Sequence, residues 1–241
     1  MIVRLERRSA AAERERVEKI LAHVARCRIT LTYVVKRLFF PAYEFPDHDE
    51  ALRLAKAALD ALVVEGRLER VRGESEFAGH AYLAPGHRIN EEADLARLWF
   101  CYMNRVRRHL ATYPEVCPLF EAEQLKAPYH NYSHCIADLP GGPVLLRLYL
   151  CLAEKKHARE QLASHIGQKA KCFRHWIDAG CYGVAVLVHS EQKRKEIEQM
   201  LSRSHGGKAP LNQQARFVVE VVPTLDTFSK AIKHHVSEVW K

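Results

Sequence analysis

Residues 12–86 change their hydrophobic period once, and that change limits the folds open to the chain. In 12–26, AERERVEKILAHVAR, the residues Val17, Ile20, Leu21 and Val24 recur at i, i+3, i+4 and i+7, which puts one apolar stripe on a helix. After Cys27, Arg28 and Ile29, Thr30 can cap a second, shorter helix over LTYVVKRLF. The stretch FPAYEFPDHDE follows as a loop with two prolines. Asp47 or Asp49 can then cap a third helix, EALRLAKAALDALVVEG, that stops at Gly66. There the period drops to two. RLERVR and HAYLA read as strands on either side of a turn at 73–79, closed by Pro85 and Gly86.

Three helices followed by a β-hairpin is the order of a winged helix-turn-helix, predicted here over 1–88. In that arrangement the third helix presents Arg53 and Lys56 to a major groove. Lys36 and Arg37 on the preceding helix, and Arg70, Arg72 and His80 on the hairpin, can reach phosphates. The start of the third helix is acidic (Asp47, Asp49, Glu50), and carboxylates there repel phosphate. They favour the competing use of the same architecture, contact with protein.

Residues 89–125 read as a connector. EEADLARLWFCYMNRVRRHL is helical in pattern and YPEVCP breaks it. From 126 to 241 a second domain is predicted. YHNYSHCIAD is a strand, LPGGP a turn and VLLRLYLCLA a long strand. HAREQLASHIGQKAKCFRHWI is a helix with Leu162, Ile166, Phe173 and Ile177 on one face. YGVAVLVH is a buried strand, and SEQKRKEIEQMLSR a helix capped by Ser190. RFVVEVV and TLDTFSKAIKHHVSEVW are a last strand and helix. Strands alternating with helices make an α/β sheet with helical crossovers.

The net charge is +8 and the pI about 9.2, with most of the excess after residue 125, so a polyanion is the expected partner. Seven cysteines, an odd number without a C-x-x-C, disfavour a disulfide framework or a cysteine zinc site and fit a reducing cytoplasm. The N-terminus has no signal-like apolar region, and the longest apolar run is short and contains Arg147, so no membrane is expected.

With these elements in place, the chain resembles the replication-relaxation family, which includes the MobC-type plasmid mobilisation proteins. The residues that carry the resemblance are Ala137-Asp138 and the turn after it, the strand LLRLYLCLA, the helix bearing Lys169 and Lys171, and VAVLVHSEQKRKEIEQML. The resemblance implies a winged helix followed by a domain related to the PD-(D/E)-x-K nucleases. Independently of the resemblance, Asp138 followed by Glu154-x-Lys156 at a strand end fits the minimal one-dimensional pattern of a metal-dependent nuclease. That makes these three the candidate catalytic set, with Mg²⁺ as cofactor only if that set is active. The chain departs from the pattern at two places. Ala137 stands where the family has Pro, and Cys151 where it has a carboxylate, so the acidic motif reads as degenerate.

The hairpin itself bears on the set. A tight turn near Gly141 places Asp138 opposite about Val144, and Glu154 then lies on the order of 30 Å further along the strand. Two acids on one Mg²⁺ must lie within about 5 Å of each other. His130, His134 and Asp138 have ligand chemistry at helical spacing, but on a strand they spread over ~26 Å, so no metal site is assigned. GESEFAG and HGGK lack the strand–loop–helix context of a phosphate loop. Tyr129 and Tyr132 lack the His-rich motif of a tyrosine relaxase.

The expected protein is therefore α+β, a winged helix-turn-helix followed by an α/β restriction-endonuclease-like domain. It is expected to bind double-stranded DNA in the replication or mobilisation of a plasmid or other mobile element, in the cytoplasm, with Lys169, Lys171 and Arg174 adding affinity from the second domain. Other DNA-processing proteins of the element and a homodimer are the further partners in view. The competing functions are a metal-dependent nickase and a regulator or assembly factor that dimerises through the second domain.

Overall fold

The computed structural model describes residues 2–71, 81–87, 90–103, 106–112, 114–116, 134–139, 141–151, 158–172, 174–204, 209–224, 226–228 and 230–232. The chain is mixed α+β and divides into two compact units, Met1–Leu98 with Leu225–Lys241, and Trp99–Thr224. The sequence reading drew its boundaries at 88 and 125; the compact units divide at 98/99 and at 224/225. Among the described residues no helix is long and apolar enough to cross a membrane.

In the first unit the order is α1 (Ile2–Cys27), β1 (Ile29–Leu31), α2 (Thr32–Phe39), α3 (His48–Val64), β2 (Glu69–Arg70) and β3 (Ala81–Leu83). The strands form an antiparallel sheet in the order β1-β3-β2. The strand β1 corrects the expected cap. Thr30 does not cap α2, whose N-cap is Leu31 with no side-chain bond. Instead Ile29, Thr30 and Leu31, all buried, pair with Leu83, Tyr82 and Ala81. Burial and β-branching favour the extended form, and the ladder satisfies backbone groups that a buried loop would leave open. The reversal from α1 into β1 passes through Arg28 at φ 67°, the left-handed conformation that commonly ends helices.

The helix α3 starts at Asp47, whose carboxylate accepts the N–H groups of Asp49 (2.9 Å) and Glu50 (3.1 Å). Its buried residues Ala51, Ala55, Leu59 and Leu62 repeat near the helical period. They pack with Ile20, Val24, Val35, Phe40, Leu68 and Tyr82 in one core. The chain leaves α3 through Gly66 at φ 71°, and the N–H groups of Arg67 and Leu68 both bond the carbonyl of Leu62.

The connector also differs from its sequence reading. The helix α4 (Glu91–Tyr102) ends earlier than its pattern implied, and Arg108–Leu110 is a strand, β4. It pairs antiparallel with β5 (His134–Leu139), so its backbone groups are satisfied across a ladder rather than within a helix. The second unit is then a five-stranded sheet in the order β4-β5-β6-β7-β8, with β6 at Gly142–Leu150, β7 at Tyr182–Val188 and β8 at Arg216–Val221. The first three strands run antiparallel and the last two pairings are parallel. Parallel neighbours need crossovers. The first is made by α5 (Ala158–Cys172) and α6 (Arg174–Asp178), the second by α7 (Glu191–Ser202) and α8 (Leu211–Gln214). Ser190 caps α7 as its sequence implied, accepting from the Lys193 N–H at 3.1 Å.

Leu162, Ile166, Ile197 and Leu201 from the helices pack on Tyr182, Val184, Val186 and Val188, and every residue of β7 is buried. Gly183 is a packing requirement. A Cβ there would lie 2.6 Å from the carbonyl oxygen of Arg216 in the neighbouring strand.

The sheet's other face carries Arg108 and Glu220, one on each outer strand. Four flat interstrand steps would separate those strands by ~19 Å. Arg108 Nη1 nevertheless donates to Glu220 Oε2 at 2.7 Å and to the Phe100 carbonyl at 3.2 Å. Its guanidinium also lies 3.9 Å from the centre of the Phe100 ring. Twist and coiling bring diagonal corners of a sheet toward each other, and this ion pair ties two such corners.

Candidate nucleic-acid interface

One exposed side of α3 and the adjoining strand β2 hold three of the charged residues singled out in the first unit, Arg53, Lys56 and Arg70. Arg53 is 71% exposed and reaches Glu50 at 3.8 Å, a loose pair that leaves its guanidinium open to solvent. Lys56 and Arg70 meet on a single carboxylate. Lys56 Nζ lies 2.6 Å from Asp60 Oδ2, and Arg70 Nη2 donates to Asp60 Oδ1. The Tyr82 hydroxyl donates to the same oxygen at 2.7 Å, and the Arg70 guanidinium lies 5.7 Å from the Tyr82 ring centre. Asp60 therefore joins α3, β2 and β3 through three donors.

Burial alone raises the Asp60 pKa, but bonds from Lys56, Tyr82 and Arg70 outweigh it and hold the carboxyl below its ordinary value. Tyr82 is pushed up to about 12, first by burial and then by its bond to Asp60, so it remains a donor at neutral pH. Sequence reading missed both residues. The Lys56–Asp60 spacing of i, i+4 was a usable signal on a helix. Tyr82 gave none, because its contact depends on the hairpin folding back.

Lys36 departs from its expected place. It is 2% exposed, and its ammonium meets His48 Nδ1 at 3.1 Å. Burial pushes its pKa down to about 8. The face of α2 it occupies packs inward, so Lys36 is corrected from a phosphate contact to a core residue. Arg37 is half-buried, and burial lowers its pKa. Arg72 and His80 lie outside the described residues.

A groove of about 860 Å³ opens along a different flank of α3, between it and α1. Its walls include Val17, Ile20, Leu54 and Ala58, and Arg16 lies 4.9 Å and 5.0 Å from the ring centres of Phe40 and Phe45.

In the second unit, Arg174 opens α6 and pairs with Asp178 at 3.0 Å. The side chains of Lys169 and Lys171, on α5, lie outside the described residues, as do Glu154 and Lys156. Asp138 is exposed on β5 directly opposite Pro143, so the hairpin has the tight form expected of it. From Pro143, β6 runs away from the turn. At ~3.3 Å per residue the Cys151 position lies on the order of 25 Å from Asp138. Those two positions do not fit one Mg²⁺, whose ligands stand ~2.1 Å from the ion. His134 is buried and pairs with Arg147, while Asp138 stands at the exposed end of the same strand. Among the described residues, no group of three or more His, Cys, Asp or Glu side chains is placed to hold a metal ion. No family model matches the chain, and neither a curated protein nor a solved structure matches it.

Proposed function

We propose that the protein binds duplex DNA through its first unit, used as a winged helix-turn-helix, with α3 in the major groove and the β2–β3 hairpin beside it. The observation that carries this reading is the order α1-β1-α2-α3-β2-β3 with the sheet arranged β1-β3-β2. That order sets an exposed helix face bearing Arg53 next to a hairpin bearing Arg70. A helix of 17 residues is ~26 Å long and slender enough for a major groove ~12 Å wide.

In this reading the second unit is a nuclease-like body. An antiparallel β4-β5-β6 meander followed by parallel β7 and β8 supports that reading. The separation of Asp138 from Cys151 supports a role in holding DNA rather than cutting it. The protein then serves replication or mobilisation of a plasmid or other mobile element in the cytoplasm, beside other DNA-processing proteins.

The test uses the full chain. Duplexes selected from a random pool are compared with unselected duplex by fluorescence anisotropy, for wild type and Arg53→Ala. A base-edge contact contributes ~1–3 kcal/mol, so Arg53→Ala should weaken the selected duplex roughly 5- to 150-fold and unselected duplex far less. No enrichment in the selection, together with identical binding by the variant, would overturn the assignment.

A further inference from the structure

We infer that the Asp60 carboxylate competes with DNA phosphate for Lys56 and Arg70, and so suppresses sequence-independent binding by this face. The inference rests on the duplex reading and adds to it how the same surface is regulated.

Two cations share one anion. Lys56 Nζ is 2.6 Å from Oδ2, while Arg70 and the Tyr82 hydroxyl both donate to Oδ1. The three charged groups sum to +1 where Lys56 and Arg70 alone would present +2. Both cations remain within reach of solvent, with side chains 41% and 43% exposed, against 32% for Asp60. A phosphate can therefore approach them from outside while the carboxylate holds them from within. The carboxyl is held below its ordinary pKa, so the competitor is charged at neutral pH.

A phosphate met at random must displace this internal partner for the gain of one charge-assisted bond. A phosphate presented in register, with Arg53 already at a base edge, faces the same competitor but gains the base contact as well. The arrangement therefore lowers background binding more than selected binding.

Asp60→Asn removes the charge with little change of shape. With the full chain on unselected duplex between about 50 and about 200 mM salt, it should steepen the log–log salt slope by ~0.9 to ~1.8, one to two additional neutralised phosphates. Affinity for unselected duplex should rise roughly 3- to 10-fold at the low-salt end, and the ratio of selected to unselected affinity should fall. Asp60→Ser, which also lacks the charge, must move the slope in the same direction. Tyr82→Phe removes one neutral donor, keeps both cations on Asp60, and should leave the slope unchanged. Circular-dichroism melts establish that each variant is folded at the assay temperature.

A clear wild-type slope that neither Asp60 variant steepens overturns this inference alone. A slope that Tyr82→Phe steepens equally also overturns it, because loosening of the hairpin would then be the cause. Absence of salt-dependent binding by wild type and by the Asp60 variants overturns the duplex reading, and this inference with it.

Discussion

His23 shows how far one buried side chain can govern the response of the first unit to acid. It is 6% exposed, with Nε2 3.0 Å from the Thr30 hydroxyl and Nδ1 3.7 Å from Cys27 Sγ. Burial, with the charge of Arg26 added, pushes its pKa down to about 3. The unfolded chain protonates this imidazole near pH 6.5 and the folded chain does not until about pH 3, so protons favour unfolding between those values. Stability from this group is full above pH 6.5 and declines as pH falls, on the order of 1 kcal/mol per pH unit. Urea melts of wild type and His23→Gln between about pH 7 and about pH 4 measure it. The wild-type curve should fall more steeply, and parallel curves would show that the ring is solvated. Little of this was legible in the sequence. His23 lies on a helix whose apolar stripe is evident, but Thr30 had the look of a helix cap until the ladder partner Tyr82 was in place. Asp60 was hidden for a related reason. Its partners Lys56, Arg70 and Tyr82 lie 4, 10 and 22 residues away, and only the first distance is fixed by local geometry.

Elements were legible where one period ran long enough to be unambiguous. The helices α3 and α7 and the strands β6 and β7 follow their sequence patterns, as do the caps Asp47 and Ser190; α1 contains the expected helix over 12–26 but begins ten residues earlier, at Ile2. The three-residue strands β1 and β4 escaped detection because their partners, β3 and β5, lie far along the chain. Arg108–Leu110 also continues a run of helix formers, and only pairing with Cys135–Ala137 decides against a helix. Two glycines expose the same contrast between local preference and tertiary demand. Gly167 lies within α5 with nothing within 4 Å of an added Cβ, so Gly167→Ala should stabilise the second unit by about 0.5–1 kcal/mol. Gly183 faces the Arg216 carbonyl oxygen at 2.6 Å, so Gly183→Ala should cost about 1–3 kcal/mol through separation of β7 from β8. Thermal melts give the signs, and hydrogen exchange should quicken at the β8 amides in Gly183→Ala alone. Equal shifts in both variants would contradict the tight β7–β8 approach.

At the level of the whole molecule, the proposed reading joins a first unit that binds DNA to a second unit in which, among the described residues, no metal-holding group includes Asp138, and such a protein should bind without cutting. On supercoiled plasmid with Mg²⁺ or Mn²⁺, wild type and Asp138→Ala should bind alike and leave the substrate closed. Robust nicking that Asp138→Ala abolishes would instead place a second acid near Asp138 and restore the nickase reading. Apart from β1 and β4, the order of elements was legible from the sequence, whereas a division at 98/99 has no marker in it. Composition and period carry no trace of a terminal segment grouped with an earlier unit; of its described residues, Phe228 and Ile232 are buried. That grouping has a consequence for biosynthesis. The first unit is encoded in two pieces, with all of Trp99–Thr224 between them. Emerging at ~5–20 residues per second, the intervening stretch separates the two pieces by roughly 6 to 25 s. The portion translated first is therefore separated in time from Leu225–Lys241, while the second unit, bridged from Arg108 to Glu220, is translated as one continuous stretch. On the ribosome, all of Trp99–Thr224 is synthesised before Leu225–Lys241 emerges.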